Sequence, residues 1–375
     1  MDFELTEEQK LLGQTVKEFT KREIEPMCAQ IEDAGKLPDT LIKKMSAMGL
    51  MGMVVPRQYG GAGANVLDCI LSIEQLAYSG NAAWWLVSFG NSIPDCLSQF
   101  GSEELKRKYL PPVCDGSSYP SIQFTEEETG SDSEAITTTA VLKGQEYLIN
   151  GRKRFSTFGA RDGFAITYAR DETGKISAFV LDKNTAGYSA EKVWELMGQG
   201  GVEAVDVRLE NVRVPQENML GNRGEGINYL LNWIALEKVT QCAACVGMAQ
   251  AALDEAIKYA GARVIRKKPL SAMQGIRWSL ADMHSNIQAA RWLTYRTAFL
   301  YDHKSPDFMN EAASTKLFVA PAAIEVVEES RRIHGAYGYT REMKIEGLCR
   351  AVSGATAIAV SLEINRSIVG ASLLK

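Results

Sequence analysis

The sequence predicts an α+β protein in three parts: an N-terminal helical domain over 1–120, a central antiparallel β domain over 121–223 and a C-terminal four-helix bundle over 224–375. Three observations predict it. Apolar residues recur at helical spacing through the first 118 residues. Short alternating runs separated by turn signals follow from Ser121. Beyond Gly224, four long helical stretches have only short connections. Helices, then strands, then helices, with no βαβ alternation, argue against a doubly wound dinucleotide-binding fold. A chain of 375 residues is long enough to bury the cores this division needs.

In the first part, Thr6 and Gln9 make a capping box ahead of Leu11, Leu12, Val16, Phe19 and Ile24, which share one helical face. Asp39 is placed to cap a second helix that stops at Gly49. A glycine-rich loop over 59–63 precedes helical runs at 66–78, 82–100 and 103–110. Pieces such as GGAGAN do not sit between a strand and a helix, so they read as loops, not as phosphate-binding turns. In the second part, ITTTAVL, EYLI, FAITYAR, ISAFVL and AVDVRL read as strands, with turns at 142–145 and 171–174 and an end near Pro215. The third part reads as helices over 225–262, 271–302, 308–334 and 341–374.

Composition excludes several function classes. The net charge is −5 with no basic run, which argues against nucleic acid. The start, MDFELTEEQK, is acidic and unlike a secretory leader. No apolar stretch approaches the roughly 20 residues of a membrane span, so a cytoplasmic protein without a membrane partner is expected. Seven cysteines at irregular spacing suit reduced thiols. Cys242 and Cys245 form a CxxC, but inside the alanine-rich TQCAACVGMAQAALDEA they read as small packing residues on one helix face. Three scattered histidines offer no metal-ligand cluster.

The motifs FELTEEQ, VVPRQYGGAG, FTEEETGSD, NGRKRFSTFG, ENVRVPQENMLGNRGEG, ALEKVTQCAACVGMAQAALDEAIKYAGAR and HGAYGYTREMKIEGLCR span nearly the whole chain. In this order and spacing they resemble the acyl-CoA dehydrogenases. The resemblance implies a non-covalent FAD between the β domain and the bundle. Thr125 matches the position whose hydroxyl contacts the isoalloxazine, and Ser131 the one near the FAD pyrophosphate, where substrate also passes. Phe155 and Thr157 match the aromatic and threonine that flank the ring. Hydroxyls bind ring heteroatoms and phosphate without adding charge, while an aromatic screens the ring from water. Outside these motifs each would read as an ordinary turn or strand-surface residue. Arg263 matches an arginine that reaches the FAD of a neighbouring subunit, and Gly335 and Gly338 match glycines where backbone approaches that cofactor. A dimer or a dimer of dimers is implied, with a homotetramer expected. The alternative for Arg263 is a solvated helix-end arginine.

In that family the α-proton of an acyl thioester is removed by a base while the β-hydrogen leaves as hydride to the flavin. The usual base lies in a Glu-Gly pair nine residues after an arginine. Here the count from Arg350 reaches Ala359, followed by Val360. A methyl group takes no proton. Glu237 stands where some branches carry the base on the first long bundle helix. Flanked by Ile234, Leu236 and Val239, it would be desolvated and its pKa raised. Its alternative is a buried salt bridge with a Lys or Arg of a neighbouring helix. The Ala359 N–H can still serve the thioester oxygen.

Further departures keep other readings open. Lys238 replaces an arginine, and Ala235 an aspartate expected toward the CoA adenine, so a carrier-protein thioester is one alternative. Glu127 and Glu128 replace a Pro-Gly close to the expected flavin, and Arg332 replaces a glutamine. The function implied is FAD-dependent dehydrogenation of an acyl-CoA, or reduction of the matching enoyl-CoA, coupled to an electron-transfer flavoprotein. A non-catalytic subunit of a flavoprotein assembly is the rival from another class.

Overall fold

The computed structural model describes residues 4–374; residues 1–3 and 375, including the Phe3 that opens FELTEEQ, lie outside them. The capping box forms at the start of α1 (Glu7–Phe19): the Gln9 N–H donates to Thr6 Oγ1 at 3.2 Å and the Thr6 N–H to Gln9 Oε1 at 3.1 Å. The helix continues through a wide turn, Thr20–Ile24, and tightens at Glu25–Met27, which contains Pro26. α2 (Cys28–Ala34) follows. Asp39 is not a cap. It is the first residue of α3 (Asp39–Ala47), behind Pro38, and its carboxylate pairs with Arg161 at 3.1 Å.

α4 (Val66–Ala77), α5 (Ala83–Phe100) and α6 (Glu103–Cys114) complete the N-terminal part. α5 is buried almost all round, as befits a helix apolar on every face. It packs on α4 and on the long helix α7 introduced below.

The strands are β1 (Ser121–Gln123), β2 (Thr139–Lys143), β3 (Glu146–Thr157), β4 (Phe164–Asp171), β5 (Ile176–Asp182), β6 (Tyr188–Val193), β7 (Ala204–Pro215) and β8 (Met219–Leu220). They form one sheet in the order β6-β7-β3-β2-β4-β5-β8, with β1 beside β4. The long ladders are antiparallel as expected, while β1–β4 and a short β2–β4 contact are parallel. β6 was not legible in the sequence. It is an edge strand whose YSAEKV is exposed along nearly its whole length, so no apolar alternation marks it.

α7 (Gly226–Ala262) has 37 residues and is about 55 Å long. A small hairpin, β9 (Val264–Ile265) and β10 (Lys268–Pro269), leads to α8 (Gln274–Asp302) and α9 (Phe308–Ile333). The fourth expected stretch is broken into α10 (Lys344–Ser353) and α11 (Leu362–Ser372). Between them Ala359 and Val360 hold φ of 51° and 75°, and consecutive left-handed residues cannot continue a right-handed helix. One core runs continuously through the N-terminal helices, one face of the sheet and the bundle. A smaller one, with Tyr147, Ile149, Phe179 and Val207, covers the other face. No described helix is long and apolar enough to cross a membrane.

A candidate active site where α5 meets α7

Glu237 lies where α7 crosses α5, 3 % exposed. Its carboxylate is held by hydroxyls. Ser92 Oγ–H donates to Oε1 at 2.6 Å, and Ser88 Oγ stands 3.0 and 3.2 Å from the two oxygens. Ser88 and Ser92 share a face of α5, one turn apart. The Trp233 indole N–H donates to Ser92 Oγ at 3.0 Å and orients it. Among the described residues no Lys or Arg pairs with Glu237, so the salt-bridge alternative is not what the fold builds. Burial pushes its pKa up to about 7; the Ser92, Ser88 and Thr240 hydroxyls favour the ionised form and only partly oppose that.

An aromatic cluster adjoins these hydroxyls through Trp233, which bonds Ser92. Phe89 contacts Trp85, Trp233 and Phe158 edge-on, with centroids 5.5, 5.8 and 6.2 Å away. Phe158 follows Thr157 at the end of β3, so the cluster ties the carboxylate to the β domain. The Trp85 indole donates to Gln199, whose amide donates to Ala351 O at 2.7 Å. Gln199, with φ 59°, thereby joins the β6–β7 connection to α5 and α10.

Ala359 sits in the turn between α10 and α11. Two non-glycine residues in left-handed backbone cost about 1–3 kcal/mol each, and more is expected of a β-branched valine. The buried Lys316 ammonium of α9 donates to the carbonyls of Ile358, Ala359 and Val360, the last two at 3.1 and 2.7 Å. Lys238 is also buried, and burial pushes its ammonium down to about 8.

The residues expected around a flavin fall into two groups. Thr125 and Ser131 lie on the loop after β1, which is tied to β3 by the Arg154 N–H donating to Thr125 O at 2.8 Å. Phe155 is half exposed in left-handed backbone, φ 53°, and its ring lies 4.7 Å from that of Trp194. Thr157 pairs with Ala204 across the ladder. Glu127, instead of lining a flavin site alone, pairs with Arg154 at 2.8 Å. Arg263 is exposed at the far end of α7, about 39 Å along the helix from Glu237. Its N–H bonds Tyr259 O, and the Tyr259 ring lies tilted against His334 with centroids 4.5 Å apart, so Arg263 and the Gly335–Gly338 turn share that end. Gly335 is left-handed at φ 60°. A Cβ on Gly338 would meet Arg331 O at 2.4 Å, so the chain's own backbone already requires glycine there.

The N-terminal, middle and C-terminal domains of acyl-CoA dehydrogenase match residues 6–117, 121–212 and 224–374. The chain belongs to the acyl-CoA dehydrogenase family. It is similar to an acyl-CoA dehydrogenase of Bacillus subtilis, 35 % identical over 99 % of both chains. It is 32 % identical to a caffeyl-CoA reductase–Etf complex subunit of Acetobacterium woodii, again over 99 % of both. Among solved structures, butyryl-CoA dehydrogenase from Megasphaera elsdenii superimposes with a TM-score of 0.96 at 31 % identity, covering 100 % of each chain. As a member, the chain is an FAD-dependent oxidoreductase of acyl- and enoyl-CoA thioesters.

The donor set fits such a cofactor. The hydroxyls of Thr125, Ser131 and Thr157 have no hydrogen-bond partner among the described residues and carry no charge. Among the described residues Glu237 is a carboxylate that this fold buries and holds by hydroxyls alone. Sequence reasoning missed Ser88, Ser92, Trp233, Gln199 and Lys316. The pair of serines one turn apart in the largely apolar AWWLVSFGNSI was a signal that pointed at a buried polar partner.

Proposed function

We propose that the chain interconverts a saturated acyl-CoA and its α,β-enoyl-CoA, with Glu237 handling the α-proton. The observation that carries this is the Glu237 carboxylate, buried, held by neutral hydroxyls and poised near neutrality. In oxidation the ionised carboxylate accepts the Cα proton; in reduction the protonated group returns it. Bound FAD supplies the redox partner for the substrate's β-hydrogen. The Ala359 N–H, free of any acceptor among the described residues, serves the thioester oxygen as enolate charge develops. Lys238, a buried ammonium with no hydrogen-bond partner among the described residues, faces bound thioester. The aromatic cluster of Trp85, Phe89 and Trp233 keeps water from the carboxylate.

Thr125, Ser131, Phe155 and Thr157 hold the flavin of their own chain, at the junction of the parts bounded near 120 and 223. Arg263 and the Gly335–Gly338 turn lie at the far end of α7, about 39 Å along the helix from Glu237, which supports their reaching a neighbour's flavin in a homotetramer. Electrons pass to or from an electron-transfer flavoprotein, in line with the Etf-complexed relative, and the protein works in the cytoplasm. The test is anaerobic mixing of the yellow protein with saturated acyl-CoAs, and of the reduced protein with enoyl-CoAs, followed by flavin absorbance. One matched pair should bleach and restore the flavin. Silence toward every thioester in both directions would leave the non-catalytic reading in its place.

A further inference from the structure

Lys316 is a buried charge that the proposed reaction does not use. It is 0 % exposed, and among the described residues no carboxylate pairs with it. The titratable groups around it are Cys242, Cys245 and Lys238, all on α7. Its three N–H donors go instead to three successive carbonyls, those of Ile358, Ala359 and Val360. An ammonium out of water needs such dipoles, and this turn offers them only while Ala359 and Val360 hold positive φ.

We propose that Lys316 is a positioning residue: by gripping these carbonyls it holds the left-handed turn so that the Ala359 N–H stays unpaired and aimed at the thioester oxygen. The peptide plane supplies the linkage. Ile358 C=O and Ala359 N–H belong to one trans peptide, so a carbonyl drawn toward Lys316 directs the N–H the opposite way. A cation on the carbonyl also polarises that peptide and makes its N–H a stronger donor. The Asn365 amide also ties the turn, donating to Ser361 O at 2.8 Å. Without the ammonium, Val360 relaxes toward negative φ, where a β-branched residue belongs, and the donor is misaimed. This rests on the oxyanion role proposed above for the Ala359 N–H.

The test uses full-length, FAD-loaded protein in four forms: wild type, Lys316→Met, Val360→Gly and the double variant. Lys316→Met should slow flavin reduction about a hundredfold, the size of a lost oxyanion donor, with half-saturation by acyl-CoA changed less than about threefold. The infrared carbonyl band of bound thioester should move back toward its free position. Glycine takes either sign of φ, so in the Val360→Gly background the same lysine replacement should cost only about tenfold or less. An unchanged rate and band in Lys316→Met, or an equal loss in both backgrounds, overturns the proposal. If the methionine variant does not fold, Lys316→Gln, which keeps two donors, is measured by the same band and background comparison. Amide exchange separates this from the functional reading. Lys316→Met must speed exchange at 358–361 without loosening α9, even in a protein that no thioester reduces, and failure there also overturns the clamp.

Discussion

Glu126 of the β domain and Glu237 of the α5–α7 interface are both carboxylates taken out of water, and the fold solvates them differently. Glu126 meets the Lys153 ammonium at 2.7 Å, along with the N–H groups of Thr137 and Thr138 at 2.7 and 3.0 Å. Burial opposes its ionisation, but Lys153 and the threonines outweigh burial and hold its pKa at about 2. Among the described residues Glu237 has hydroxyls and no counter-ion, and its pKa rises to about 7. A paired carboxylate is a fixed charge, locked on at any ordinary pH. An unpaired one, kept in place by groups that can serve either protonation state, can trade its proton. The contrast fits a structural role for Glu126 and the proton-handling role proposed for Glu237.

The largest expected effect lies in the rate. Glu237→Gln keeps size and an acceptor for Ser92 but removes the base, so flavin reduction by a confirmed acyl-CoA should fall by about a hundred- to ten-thousandfold. FAD content should barely move. A wild-type rate in rapid mixing would return Glu237 to the same structural class as Glu126 and place the base elsewhere.

The counterpart in the β domain should behave the other way. Lys153→Met leaves Glu126 buried without its cation and should cost about 3–5 kcal/mol of stability, read as a lower denaturant midpoint. Wherever the variant remains folded, the dependence of flavin reduction on Glu237 should persist. Little loss of stability would show that the threonine donors alone solvate Glu126.

The two carboxylates also predict opposite pH responses. Glu237 is raised from 4.5 to about 7, so its contribution to stability is fully present below pH 4.5 and is lost as pH rises through 7. The stability difference between wild type and Glu237→Gln should therefore change by about 3 kcal/mol across that window. Glu126 is lowered to about 2, so its contribution is present above pH 4.5 and is lost as pH falls through 2. Denaturant midpoints at several pH values, taken as differences between variants, check both signs.

How much of this the sequence disclosed follows from the range over which each feature acts. The capping box at Thr6 and Gln9, the strand runs and the helix of Glu237 are local patterns, and they were legible. Asp39 was misread as a cap because its partner, Arg161, lies in the β domain. The break between α10 and α11 was invisible because the sequence puts no glycine where the chain turns left-handed, and the device that holds it is a lysine on α9. Glu237 could be proposed as a base, but not its solvation: Ser88 lies 149 positions away in the sequence. Serines in an apolar helix look like packing residues until the carboxylate opposite them is seen.

That solvation gives the smallest and most specific prediction. Ser92 makes the shortest hydrogen bond to Glu237 and in turn accepts from Trp233. A hydroxyl that donates to a carboxylate stabilises the ionised form more than the neutral one. Ser92→Ala should therefore raise the Glu237 pKa further and move the acid limb of the rate of flavin reduction upward by about one unit. Above that limb the carboxylate is ionised in both proteins, so the rates should converge there, with the Ser88 hydroxyl still within reach of both oxygens. A Ser92→Ala profile that is uniformly lower at all pH values would mean that the serine places the base rather than tunes it. A limb displaced toward lower pH would mean that the hydroxyl instead accepts a proton from neutral Glu237. The direction of one limb thus decides whether α5 supplies solvation for a working carboxylate or only a rigid wall.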